Sequence, residues 1–185
     1  LITKIEFQRD GKPFRAIGLL NKPDSNLLCA QCHVEYNCNP GFDPKTGAVI
    51  GMDDRRANYF PWVNVFDIQK RYADISFKDF RHGITGAPLT KLQHPEVETF
   101  WGSKHERAGV ECKDCHMPKV KDKKGKPFTY HGQRSSRYML KDTCIRCHKY
   151  WSHEEAEYQV EAIQNYTRGK MRKAEYWLGQ LIETY

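Results

Sequence analysis

At 185 residues, with 39% hydrophobic and 29% charged side chains, the chain is too polar to span a membrane and too poor in aliphatic residues to build a large core from them alone. Aromatic residues at 12% exclude a disordered chain, because disordered sequences are poor in large rings. Basic residues outnumber acidic ones 30 to 23, giving +7 with His neutral, but no nucleic-acid-binding motif accompanies them and nucleic acid is not an expected partner. The start, Leu1-Ile2-Thr3-Lys4, lacks the basic-then-apolar layout of an export signal, so the expectation is that any targeting segment was removed or never belonged to this chain.

In chain order, Gly11, Pro13, Gly18 and Pro23 interrupt any long element before residue 26, and no strand pattern of any length is read here or later. Asp24 or Ser25 is placed to cap a short helix carrying the sequence Cys29-Ala-Gln-Cys32-His33. Residues 36–61 read as a turn-rich loop, marked by Asn39-Pro40-Gly41 and Asp43-Pro44-Lys45-Thr46-Gly47, and loops of that length are usually functional. Val65, Ile68, Tyr72 and Ile75 recur at helical spacing and predict a helix over 64–80, broken afterwards by Gly83, Gly86 and Pro88. A second helix is predicted over 96–107, ending at Gly109 and stacking Trp101 and His105 on one face.

Residues 119–130 predict a basic hairpin or loop turning at Lys124-Gly125, a solvated face rather than a binding patch. Ser152 and Glu155 form a capping box, after which Ala156, Val160, Ile163, Thr167, Met171, Ala174, Leu178 and Leu181 alternate four and three apart. That is one long amphipathic helix, whose length points to packing against another helix or a subunit. The expected division is therefore 1–150 and a helical segment 151–185.

Six of the seven cysteines fall into three identical patterns, Cys29-Ala-Gln-Cys32-His33, Cys112-Lys-Asp-Cys115-His116 and Cys144-Ile-Arg-Cys147-His148. The CxxCH pattern is the signature of covalent c-type haem attachment, and composition alone predicts about 0.01 occurrences. Two thiols one helical turn apart can add to the haem vinyl groups while the His that follows reaches the iron. A redox CxxC pair or half a zinc site does not explain a His at the same offset each time. The expected fold class is thus mainly α, a multihaem cytochrome c with haems as the core, long loops and a long C-terminal helix; large apolar rings replace much of an aliphatic interior. Since bacterial c-type attachment is made outside the cytoplasm, the expected location is periplasmic or extracytoplasmic.

Beside the first motif stands Val34-Glu35-Tyr36, and much later comes Lys91-Leu-Gln93-His94-Pro95. With the order of the motifs, Phe60-Pro61-Trp62-Val63-Asn64 and Cys115-His116-Met117-Pro118-Lys119, the chain resembles the cytochrome c nitrite reductases along nearly its whole length. The resemblance implies that Tyr36 and His94 face an open position on a catalytic haem where nitrite is reduced to ammonium. A phenol and an imidazole suit that chemistry, because both donate hydrogen bonds and protons while haems supply electrons. It further implies a calcium site, with Glu35 and Gln93 giving side-chain oxygens and Tyr36 and Lys91 giving carbonyls, an oxygen set appropriate to Ca²⁺. Cys38, the odd cysteine, is either a small buried thiol or, by resemblance to the octahaem branch with its Tyr-x-Cys, bonded to the ring of Tyr36 as an aryl thioether.

The chain departs from the family in two respects. The catalytic haem of these enzymes is attached by a motif ending in Lys, and no CxxCK occurs here, nor is there an assignable substrate-contacting arginine. The implied picture is a segment that carries three covalent haems and part of the active-site wall, meets further haems outside itself, and works with the rest of the enzyme. A redox donor protein or quinol system and homo-oligomer formation are the other expected partners. Among the remaining histidines, the resemblance makes His105 the distal ligand of the haem on Cys144 and Cys147, and His131 a ligand for a haem attached elsewhere. His82 and His153 match no role and read as surface residues. Alternatives are a non-enzymatic electron-transfer cytochrome, and a related multihaem enzyme acting on hydroxylamine or sulfite.

Overall fold

Asp10 and Gly11 both adopt positive φ, 53° and 72°, the backbone that a two-residue hairpin turn requires and that Asp-Gly supplies at low cost. In the computed structural model, which describes residues 2–22, 24–37 and 40–184, they join β1 (Ile2–Arg9) to β2 (Lys12–Leu20) as an antiparallel hairpin. The expectation of no strand is therefore wrong. Gly11 is the turn rather than a breaker, and Pro13 faces Gln8 where the register shifts, a place at which a missing N–H is tolerated.

The helix α1 (Ser25–Cys29) is capped by Asp24, whose side chain accepts from the Asn26 N–H at 2.9 Å. The loop that follows holds β3 (Gly41–Phe42) against β4 (Val49–Ile50), closed by the Asp43 carboxylate accepting from the Lys45 N–H at 2.8 Å. Arg56 ties this turn down, reaching Asp43 at 3.0 Å and Asp54 at 2.8 Å, and its hydrogen bonds hold the Asp54 carboxyl down to about 2.

The helix predicted over 64–80 is shorter. A 3-10 turn (Val65–Asp67), capped by Asn64, leads into α2 (Ile68–Asp74), and Ser76 at φ 51° turns the chain away. What ends the helix is Phe77, whose N–H returns to the Tyr72 carbonyl at 3.0 Å while its ring is fully buried. Ile50, Ala57, Ile68, Tyr72 and Phe77 form the apolar cluster, with Tyr59, Val63, Val65 and Ile75 packed against it. Gly41 sits on this cluster so closely that a Cβ would strike the Lys78 carbonyl oxygen and the Phe77 ring. The Phe42–Lys78 backbone pair, at 2.8 and 3.0 Å, joins loop to core there. Next, β5 (Phe80–Arg81) pairs with β6 (Pro88–Leu89) around a turn in which His82 Nδ1 accepts from the Thr85 N–H at 3.3 Å.

The second predicted helix is broken as well. It splits into α3 (Glu96–Phe100) and α4 (Lys104–Arg107), because Trp101 leaves the helical region and Gly102 takes φ 75°. Ser103 caps the second piece, accepting from Glu106 N–H at 3.1 Å, and Gly109 at φ 76° ends it as expected. Trp101 and His105 consequently serve different neighbours: Trp101 lies by Trp62, with centroids 5.9 Å apart, and His105 by His148.

Helix α5 (Cys112–His116) feeds the hairpin β7 (Lys119–Lys121) and β8 (Pro127–Thr129), turned at Gly125 with φ 80° and exposed, as the sequence predicts. After a 3-10 turn (Ser136–Tyr138) come α6 (Cys144–Cys147) and α7 (His153–Thr184), a helix of 32 residues that starts with Ser152 Oγ accepting from the Glu155 N–H at 3.1 Å. Ala156 is buried, whereas Ile163, Met171, Leu178 and Leu181 are largely exposed. The architecture is mainly helical with four separate two-stranded hairpins among the described residues. Among those residues no helix is long and apolar enough to cross a membrane.

Candidate active site and haem motifs

The three CxxCH motifs stand in a row. Cys29 and Cys112 are neighbours, burial and then the Cys29 thiol raising the Cys112 thiol above its usual range. Burial also raises the Cys115 thiol, and the nearby Cys144 thiol adds to it, so the second motif lies near the third. The first contact is fixed by polar bonds between α1 and α5: Ser25 Oγ donates to Glu111 at 2.8 Å, and Asn26 Oδ1 accepts the Cys112 N–H at 2.8 Å. Each motif occupies a short helix or its end, and the six motif cysteines are free of disulfides.

Glu35, next to the first motif, is wholly buried. Its Oε2 accepts the backbone N–H groups of Gln93 at 2.6 Å and His94 at 3.2 Å, and its Oε1 accepts the Tyr72 hydroxyl at 3.1 Å. Burial, then the charge of Glu35 and the bond to it, keep the Tyr72 phenol protonated far above its ordinary range. The Glu35 carboxylate thereby seats the 93–94 segment beside Tyr36, whose ring lies parallel to that of His94, centroids 6.1 Å apart and 16° between planes. Phe60 is the other ring neighbour of Tyr36, at 5.2 Å. From there Trp62, in a left-handed backbone at φ 48°, continues the aromatic series to Trp101.

The residues singled out from sequence are placed as follows. Tyr36, Glu35, Gln93 and His94 meet, while Lys91 is exposed with its N–H donating to Asp79 at 2.8 Å. His105 and His148 approach each other with ring centroids 6.3 Å apart, and Trp151 lies flat on His148 at 3.9 Å. His33 and His116 are exposed beside their cysteines, and His131 is exposed on a loop. His82 is half-buried within a turn rather than on the surface, and His153 is exposed at the start of α7. Cys38, the partner expected for Tyr36 in a thioether, lies outside the described residues.

Sequence reasoning missed Glu98 and the second role of Tyr72. Glu98 is fully buried, and its Oε1 accepts the Glu35 N–H at 3.0 Å. Burial, and after it the charges of Glu35 and Glu96, raise its carboxyl above the usual range. The available signal was an acidic residue four positions after His94, on the inner side of a short amphipathic helix.

The cytochrome c552 family model matches residues 13–185. The chain belongs to the cytochrome c552 family. Among solved structures, the catalytic subunit of the cytochrome c nitrite reductase from Desulfovibrio desulfuricans is 32% identical, with a TM-score of 0.62 over 80% of this chain and 32% of that one. The chain thus spans about a third of that subunit's length, and that subunit has two calcium sites.

The family is one of c-type cytochromes and the solved relative has two calcium sites, so the residues present can be tested against both groups. Two imidazoles on one iron stand roughly 6 Å apart between centroids, given metal–nitrogen bonds near 2.0 Å, and His105 and His148 are at 6.3 Å. For calcium, Glu35, Asp79 and Glu98 make no ion pair among the described residues, and Asp79 Oδ1, Thr90 Oγ1 and Glu98 Oε2 are buried without a hydrogen-bond partner. Uncompensated buried negative charge is costly and is relieved by a divalent cation. Among the described residues no three His, Cys, Asp or Glu side chains converge on one metal position. A hard cation here would therefore have to draw on main-chain and amide oxygens together with Glu35. Both groups fit.

Proposed function

We propose that this chain is part of a multihaem cytochrome c nitrite reductase that reduces nitrite to ammonium, with three covalent haems on Cys29 and Cys32, Cys112 and Cys115, and Cys144 and Cys147. The observation that carries the reading is the parallel Tyr36–His94 pair, held beside a CxxCH motif by the buried Glu35 carboxylate. Bound haems supply electrons, and calcium at Glu35, Gln93 and the carbonyls of Tyr36 and Lys91 supplies positive charge close to the anion's route.

The residues of this chain contribute positioning and protons. His94, exposed at the pocket wall, donates a hydrogen bond or a proton from its imidazole, and the Tyr36 phenol does the same from the adjoining ring. Phe60 and Trp62 close the wall with apolar surface, 38% and 47% exposed on the polypeptide, which suits them to lie against a haem face. The imidazoles of His33, His116 and His148 would hold the haems of their own motifs, His105 would join His148 in holding the haem on Cys144 and Cys147, and His131 would hold a haem attached outside the chain. The row of motifs gives electrons a continuous route. Residues 151–185 serve subunit packing in a homo-oligomer, the protein works outside the cytoplasm with a redox donor protein or quinol system, and Cys38, if joined to Tyr36, resists alkylation.

Nitrite reduction by the full-length, haem-loaded protein with a reduced viologen tests this. His94→Ala is expected to lower kcat by about 10² to 10⁴, the range for loss of a positioned proton donor. Unchanged turnover would remove His94 from the mechanism. The row of motifs by itself also suits a non-catalytic electron conduit, and that reading wins if every iron in the complete protein is capped by two side chains. Product analysis with hydroxylamine or sulfite in place of nitrite separates the related enzyme activities.

A further inference from the structure

Residues 33–36 and 93–98 are knitted together from both sides. Val97 N–H donates to the His33 carbonyl at 3.1 Å and Glu35 N–H to Glu98 Oε1 at 3.0 Å, while Gln93 and His94 N–H groups donate to Glu35 Oε2 at 2.6 and 3.2 Å. The first segment carries a haem-motif imidazole, the Glu35 carboxylate and the Tyr36 ring; the second carries Gln93 and His94. Glu98 is the residue whose presence needs a reason. A carboxylate is an expensive way to accept one backbone N–H in a fully buried position, and its second oxygen has no partner.

We infer that Glu98 is a positioning residue, which fixes the register of the 33–36 segment against the 93–98 segment and through that register sets the calcium affinity of the Glu35 site. The inference rests on the proposed calcium site. Outer-shell groups that orient a metal-ligating carboxylate change affinity without touching the metal, and the Glu35 N–H is the bond by which Glu98 reaches it. A side chain that is only filling space would act on folding and leave the affinity of the folded protein alone.

The test is calcium affinity of the full-length, haem-loaded protein, measured by competition with a chromophoric chelator, for the wild type, Glu98→Gln and Glu98→Asp. Gln keeps an acceptor oxygen at the same reach, whereas Asp keeps the charge but withdraws the acceptor by one methylene. The expected result is affinity close to wild type in Glu98→Gln and a loss of about 10- to 100-fold in Glu98→Asp. Equal affinity in Glu98→Asp and wild type, or a loss in Glu98→Gln, overturns the inference while leaving the calcium site standing. A wild type that binds no calcium overturns the calcium reading and this inference with it.

Discussion

Glu35→Ala is expected to destabilise the protein by about 3–5 kcal/mol and to abolish its response to calcium. The carboxylate is buried and accepts from Gln93 N–H, His94 N–H and the Tyr72 hydroxyl, so its removal orphans all of these donors at once. Each donor left without a partner costs about 1–3 kcal/mol where it is buried. An opposing effect is relief of the repulsion between Glu35 and Glu98. That relief comes from one carboxylate pair whereas three donors lose their acceptor, so the lost hydrogen bonds decide the sign. Glu35→Gln separates the two consequences: the amide oxygen still accepts from the backbone, which preserves much of the stability, but the negative charge a divalent cation requires is gone. Denaturant unfolding with and without calcium reads both. Saturation at 100 times Kd would add about 2.7 kcal/mol to the wild type and nothing to either variant. A calcium-dependent gain in Glu35→Gln equal to that of the wild type contradicts the assignment.

His105→Ala is expected to convert one haem, that on Cys144 and Cys147, from low-spin to high-spin and to leave the others as they were. The His105 and His148 rings lie 6.3 Å apart between centroids with their planes at 81°, the centroid spacing of two imidazoles on one iron. Trp151, stacked on His148 at 3.9 Å and 7°, holds the proximal ring in place when its opposite number is removed, so the haem stays bound through its thioethers and through His148. Loss of one nitrogen donor destabilises ferric iron, and the potential of that haem rises on the order of 0.1 V, a fraction of the roughly 0.8 V that axial ligation spans. Electron paramagnetic resonance combined with a redox titration measures both. An unchanged low-spin signal would place the sixth ligand elsewhere.

What was legible in the sequence is whatever rests on local chemistry. The Asp24 cap, the Ser152 cap and the four-and-three spacing of 156–181 involve groups within a few residues of each other, and the helices they predict are present. The hairpin at Asp10-Gly11 is equally local, since the glycine that looks like an interruption is a residue free to adopt φ of 72°. The break at Trp101 is harder to foresee. Helical periodicity runs through it, and the chain turns because Gly102 takes a left-handed backbone and gives its N–H to the Glu106 carboxylate at 2.6 Å.

The candidate site was visible in pieces. Family resemblance pointed to Tyr36, His94, Glu35 and Gln93, which the fold does bring together. Nothing along the chain reveals the bonds that do so, since Glu35 reaches Gln93 across 58 positions and Glu98 reaches Glu35 across 63. Tyr72 shows how one residue can mislead. Its spacing marked it as part of an apolar helix face, and its ring is indeed in the core, yet its hydroxyl ends on the Glu35 carboxylate. Burial and hydrogen bonding were carried by opposite ends of the same side chain.

Covalent haem underlies the proposed function, and intact mass spectrometry under denaturing conditions tests it most directly. The expected result is a polypeptide heavier than its sequence by three haem groups, with Cys29, Cys32, Cys112, Cys115, Cys144 and Cys147 all refusing a thiol alkylator. A chain of unmodified mass whose motif cysteines all take up the alkylator would contradict it.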